Sequence, residues 1–198
     1  VFLLKILSQI AYSLDEFQNS IYHLDSLKQI VESDDPYLLL GDIFMKIGNY
    51  EDAKLNFEHV YKGGSINFEI MRALLICYSN LDEIQNEISV SKLMMDVYPG
   101  ESLGFESYAL SLLENDQISD AISTLLIAKQ KFPRNFSLLF YLGSSYKQIL
   151  QYDDALIEFK LALKVRPDAK IIWHSMALIY EEMNQYDTSD SLFSMIIA

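Results

Sequence analysis

The sequence predicts an all-α fold built from six helical hairpins stacked into a solenoid. Three observations carry that expectation. Chain breakers are scarce, with four prolines and seven glycines among 198 residues. Apolar residues recur at i, i+3, i+4 and i+7, the spacing that places them on one face of a helix. The pattern between Phe136 and Ala169 also returns at 34-residue steps in both directions. A single hairpin cannot bury its own apolar face, so neighbouring hairpins must cover it by stacking.

Taken in order, the units span residues 1–33, 34–67, 68–101, 102–135, 136–169 and 170–198, a single array with the sixth unit truncated. The first is one residue shorter than the rest and carries Leu4, Leu7-Ser8, Ala11, Phe17, Ser20, Leu24 and Leu27. The second carries Tyr37, Leu40-Gly41, Phe44, Gly48, Tyr50, Ala53 and Phe57. In the third stand Met71, Leu74, Tyr78, Ile84 and Pro99, and in the fourth Phe105, Tyr108-Ala109, Leu112, Ile118, Ala121, Leu125, Ala128 and Pro133. The fifth shows the pattern most fully, with Leu139, Leu142-Gly143, Tyr146, Tyr152, Ala155, Phe159, Ala162 and Pro167. The sixth repeats Trp173, Met176-Ala177, Tyr180, Tyr186, Ser189 and Phe193.

Each recurring residue has a physical task. Small residues at Gly41, Ala109, Gly143 and Ala177, and at Ala53, Ala121 and Ala155, let paired helices cross closely. Gly48, Asp82, Asp116 and Asn184 suit the left-handed residue that ends a first helix, whereas Leu150 at the same place does not. Pro99, Pro133 and Pro167 stop second helices, because proline has no amide proton and clashes with the preceding turn. Two units depart from the pattern. Glu87 and Ser91 stand where the third unit needs a small and an aromatic residue, so that hairpin is expected to pack less tightly. Gly63-Gly64-Ser65 replaces the proline of the second unit, and a looser joint is expected there.

These residues and spacings resemble the tetratricopeptide repeat, with Leu139 in place of the usual Trp in the fifth unit. The resemblance implies a right-handed superhelix whose first helices line a concave face, and a protein that holds a protein or peptide partner. By the family's register the inward residues are Leu38, Asp42 and Met45, then Arg72, Ile76 and Ser79, in the second and third units. In the last three units the candidate partner-binding residues are Leu103, Glu106, Leu110 and Leu113; Phe140, Ser144 and Lys147; and Ile171, His174 and Leu178, with Glu181 beyond. An apolar strip with sparse charges suits a helix or extended segment bearing hydrophobic anchors. Only Arg72 is basic among the positions that a chaperone-tail clamp would use, and the strip holds no asparagine of the kind used by peroxisomal import receptors.

The chemistry of the remaining residues points the same way. His23, His59 and His174 lie in separate hairpins without a second ligand at helical spacing, so no metal or other cofactor is expected. Cys77 sits in an apolar run and reads as a buried, inert thiol. Gly63-Gly64-Ser65 lacks the Lys-Ser/Thr of a phosphate-binding loop. Acidic pairs such as Asp34-Asp35 and Asp153-Asp154 sit at helix starts, where the macrodipole favours them. No catalytic constellation emerges, and an enzyme is not expected.

A formal net charge of −13 disfavours nucleic acid and anionic membrane surfaces, and leaves apolar or basic protein partners. No stretch is long enough to insert in a membrane. One cysteine fits a reducing compartment, the cytoplasm, with the periplasm left open. The chain opens without Met and closes within Met195-Ile196-Ile197-Ala198, so a fragment of a longer chain is expected. The exposed end from Phe193 to Ile197 then offers a second reading, in which the array self-associates or supports another domain.

Overall fold

The computed structural model describes residues 2–197. Of the two terminal apolar runs, Val1, Ala198 and the side chains of Phe2 and Ile197 lie outside the described residues. Twelve helices and no strand are present among the residues described. They are α1 (Phe2–Ser13), α2 (Phe17–Lys28), α3 (Asp35–Lys46), α4 (Tyr50–Lys62), α5 (Phe68–Asn80), α6 (Ile84–Val97), α7 (Ser102–Glu114), α8 (Ile118–Lys131), α9 (Phe136–Gln148), α10 (Tyr152–Val165), α11 (Lys170–Glu182) and α12 (Tyr186–Ile197).

The chain divides into two compact units, Val1–Val90 and Ser91–Ala198. In the first, α1 packs on α2, α2 on α3, α3 on α4 and α4 on α5. Its core holds Leu24, Leu27, Leu40 and Ile43, with Tyr12, Phe17, Ile21 and Phe44 packed around them. In the second, α7 through α12 pack consecutively, and the first helices α7, α9 and α11 also touch in that order. One core cluster joins Phe105, Ala109, Leu125, Ala128, Leu138 and Leu142. The other gathers Leu139, Ala155, Phe159, Ala162, Ile172, Met176 and Ile179.

The turn inside each hairpin is built one way throughout. Asp15, Gly48, Asp82, Asp116, Leu150 and Asn184 all take positive φ, between 55° and 75°. The next amide then reaches back to the carbonyl five residues earlier: Glu16 to Ala11, Asn49 to Phe44, Glu83 to Tyr78, Gln117 to Leu112, Gln151 to Tyr146 and Gln185 to Tyr180, at 2.8–2.9 Å. This bond satisfies a carbonyl that the helix end would otherwise orphan. Leu150 adopts the left-handed conformation despite its side chain.

Close crossings occur where small residues predict them. A Cβ on Gly143 would fall 2.7 Å from the Phe159 ring, and one on Gly41 would fall 2.6 Å from Phe57. Gly104, which the repeat pattern does not single out, lies against the α6 backbone, where a Cβ would meet the Met95 nitrogen at 2.7 Å. Helices α6, α8 and α10 end two residues before Pro99, Pro133 and Pro167. Helix α4 instead ends at Lys62, with Gly63 as its C-cap and Gly64 at φ 98°.

Lysines tie successive second helices together. Lys28 Nζ donates to Asn56 Oδ1 at 3.3 Å, and Lys129 Nζ donates to both Glu158 oxygens at 2.7 and 2.8 Å. Both contacts join the same pair of repeat positions in different hairpins. Lys54, nearly buried, donates to Glu51 at 2.9 Å and to Glu83 at 2.6 Å.

The Gly63-Gly64-Ser65 segment lies inside the first unit, where the Ser65 hydroxyl donates to Asp34 at 2.8 Å, whereas the division between units falls at Val90 and Ser91 in the third hairpin. That hairpin carries the irregular Glu87 and Ser91, and both are buried. Asp34 and Asp35 stand at the start of α3, where the macrodipole favours them; the Asp34 carboxylate accepts from Ser65 and makes no side-chain cap.

Candidate functional site

The first helices of each unit present the candidate surface. In the second unit Leu103, Glu106, Leu110 and Leu113 lie on α7, Phe140, Ser144 and Lys147 on α9, and Ile171, His174 and Leu178 on α11. Ile171 and His174 are exposed, the other eight are half-buried, and none is sealed in the core. Spacing of three or four residues along each helix puts them on one side, as the helical period requires.

The ten residues are not equivalent. Glu106 is committed to the joint between α7 and α9. Its carboxylate accepts from Ser102 Oγ at 2.6 Å and from Asn135 Nδ2 at 2.7 Å. Asn135 also caps α9, its Oδ1 accepting from the Leu138 amide at 3.1 Å. Phe140 is partly a core residue, since its ring lies 6.3 Å from Phe159 and stacks on Phe136 at 6.4 Å. The His174 ring meets Phe193 of α12 at 5.8 Å. Among the described residues, the side chains of Ser144 and Lys147 have no hydrogen-bond or ion-pair partner, so both remain available as donors. Ile171, 54% exposed, is the most accessible apolar member of the set.

The first unit holds a feature that the ten candidates omit. A cleft of about 320 Å³ opens between α3 and α5, walled by Leu38, Met45, Ile70 and Ala73 over the Phe57 ring, with Asp42, Glu69 and Arg72 at its edge. Leu38, Asp42, Met45 and Arg72 are inward positions of the repeat, whereas Phe57, Glu69 and Ile70 occupy other positions. Asp42 is solvent-exposed, yet the protein around it partly desolvates its carboxyl and pushes it above its ordinary range, and the charges of Arg72 and Lys46 oppose that shift.

Reactive groups elsewhere are quiet. Cys77 is fully buried, and burial pushes its thiol up to about 11, despite the Lys54 charge that pulls the other way. The basic neighbour comes from α4 and is invisible in the local sequence. The Tyr78 hydroxyl is raised by burial and donates to Glu58 at 2.9 Å. Among the described residues no group of three His, Cys, Asp or Glu side chains is placed to hold a metal ion. No described helix is long and apolar enough to cross a membrane.

Paired helices, a recurrent left-handed turn and small residues at the crossings build a fold shared with proteins of known structure. A family model described as tetratricopeptide repeat matches residues 35–62, the span of α3 and α4. This is the tetratricopeptide-repeat fold. A crystal structure of MamA superposes with TM-score 0.73 at 18% identity, covering 80% of this chain and 92% of that one. A MamA segment from Desulfovibrio magneticus RS-1 gives TM-score 0.75 at 15% identity, covering 85% and 95%. YrrB, described as a TPR protein with an unusual peptide-binding site, gives 0.73 at 16% identity, covering 85% and 87%. No curated protein sequence matches the chain. At these identities the likeness of the tetratricopeptide-repeat structures is one of fold.

Proposed function

We propose that the chain is a protein-interaction scaffold that holds a helical or extended segment of a partner along its first helices. The observation that carries this is the row of half-buried and exposed apolar side chains on α7, α9 and α11: Leu103, Leu110, Leu113, Phe140, Leu178 and Ile171. Such residues are reachable anchors on a rigid base, and Ser144 and Lys147 supply unpaired donors beside them. The tetratricopeptide-repeat fold supports a scaffold, and YrrB shows that a relative in fold can bear a peptide-binding site. The net charge of −13 favours an apolar or basic partner over nucleic acid, and the single buried Cys77 is in keeping with the cytoplasm.

A pull-down with the parent chain beside a Leu110→Ser/Ile171→Ser variant tests the reading. A partner captured by the parent and lost by an equally helical variant supports it; a partner retained equally by both overturns it. These positions are preferred to Phe140, whose removal would also disturb the packing on Phe159. A second reading rests on Met195, 56% exposed beside Phe193 at the end of α12. There the array would self-associate, and light scattering would show mass rising with concentration in the parent but not in Met195→Lys.

A further inference from the structure

The cleft between α3 and α5 in the first unit has a chemistry distinct from the apolar row on the second. Its walls are apolar, yet three ionisable side chains reach it, Asp42, Glu69 and Arg72. Arg72 is already held by Glu69, with Nε donating at 2.9 Å and an Nη at 2.6 Å. That pair is close to neutral. Lys46, one turn along α3 from Asp42, lies with its ammonium 4.4 Å from the Tyr12 ring and 5.6 Å from the Phe17 ring. Among the described residues the Asp42 carboxylate therefore has no hydrogen bond or ion pair of its own, although Arg72 and Lys46 act on it through space. The cleft therefore holds one carboxylate without a direct partner, beside Leu38, Met45 and Ile70.

We infer that this cleft is a docking site for a basic side chain, Lys or Arg, of an extended partner segment, with Asp42 as the ion-pair acceptor and the apolar walls taking the aliphatic stem. The stem of a lysine or arginine is itself apolar and packs well on such walls while its charged head is paired. A carboxylate partly stripped of water gains more from a cation than one in open solvent does, because the local dielectric is lower. An acidic side chain is excluded by the same charge. An uncharged apolar side chain would cover Asp42 without replacing its lost water, and loses to a basic one for that reason.

This inference rests on the chain being a peptide-holding scaffold, and one experiment separates the two. A phage-displayed library of random dodecapeptides is selected in parallel on the parent chain, on Asp42→Asn and on Asp42→Glu. The expected result is a Lys or Arg enriched at one fixed position among parent-selected peptides. That enrichment should be kept by Asp42→Glu and lost by Asp42→Asn, whose affinity for the parent-selected peptides should fall about tenfold, as removal of a charge-assisted bond implies. Asp42 is exposed, and matching helicity and melting temperature would show that both variants fold. Peptides selected without a basic preference, or bound equally by Asp42→Asn, would overturn the docking site and leave the scaffold standing. A library yielding no binder to any of the three would overturn the scaffold reading and the docking site with it.

Discussion

Leu150 is the residue at which local preference and fold disagree most plainly. Five hairpin turns use Asp, Gly or Asn at positive φ, and the sixth uses a leucine at 63° that is 69% exposed. An L-residue with a Cβ in that region costs roughly 1–2 kcal/mol, and this side chain recovers little by packing. Leu150→Asn is expected to raise unfolding free energy by about 1 kcal/mol, measured in a urea titration; a loss of stability would show that the leucine packs. Gly143 behaves oppositely. An alanine there would place its Cβ against the ring of Phe159, which is fully buried and has nowhere to move. Gly143→Ala should lower stability by about 1–3 kcal/mol, the usual range for overpacking, and an unchanged melting curve would contradict so tight a crossing.

Between helices, the lysine contacts set how one hairpin meets the next. Glu158 is almost fully buried and has Lys129 as its cation. Lys129→Met should cost about 1–3 kcal/mol by leaving that carboxylate unpaired, and Lys129→Met/Glu158→Leu should regain most of it. A double variant as unstable as the single one would count against the pairing. The Lys54–Glu83 contact predicts a pH response. The hydrogen bond from Lys54 holds the Glu83 carboxyl below its ordinary 4.5, helped by Asn86. A carboxyl lowered in the folded state adds stability above its unfolded pKa, and that stability is lost as pH falls through the folded value. Lys54, raised above 10.5 mainly by the hydrogen bond to Glu83, adds stability below 10.5 that is lost as pH rises through its folded value. Asp42, raised by partial desolvation, works against Glu83 on acidification. Glu83→Gln should therefore flatten the loss of stability below pH 4.5 relative to the parent; an unchanged acid limb would contradict the assignment.

Much of this element-level architecture is readable in the residues. The 34-residue recurrence of Gly41, Ala109, Gly143 and Ala177 marks the crossings, and Pro99, Pro133 and Pro167 mark where second helices stop. What escapes is whatever depends on two helices meeting. Gly104 touches the α6 backbone, yet nothing in its own hairpin's pattern calls for a small residue there. The Glu106–Asn135–Ser102 network reads in sequence only as an inward charge, because Asn135 reaches it from the start of α9, 29 residues further along the chain. Asp42 is an inward charge too, but that it stays unpaired follows from Lys46 turning to Tyr12 and from Arg72 being held by Glu69. Periodicity records which face a residue occupies; it does not record which of two neighbours claims its charge.

At the scale of the molecule the function proposed is a surface property, so its test must ask where a partner touches. Ile171 on α11 and Ile157 on α10 are both apolar and both 54% exposed, but one belongs to a first helix and the other to a second. A photoreactive p-benzoylphenylalanine placed at either position, irradiated with a captured partner, compares the two faces at equal accessibility. The predicted result is a partner cross-link from position 171 and little or none from position 157. Cross-linking from 157 alone, or equally from both, would contradict the assignment of the first helices as the face that holds the partner.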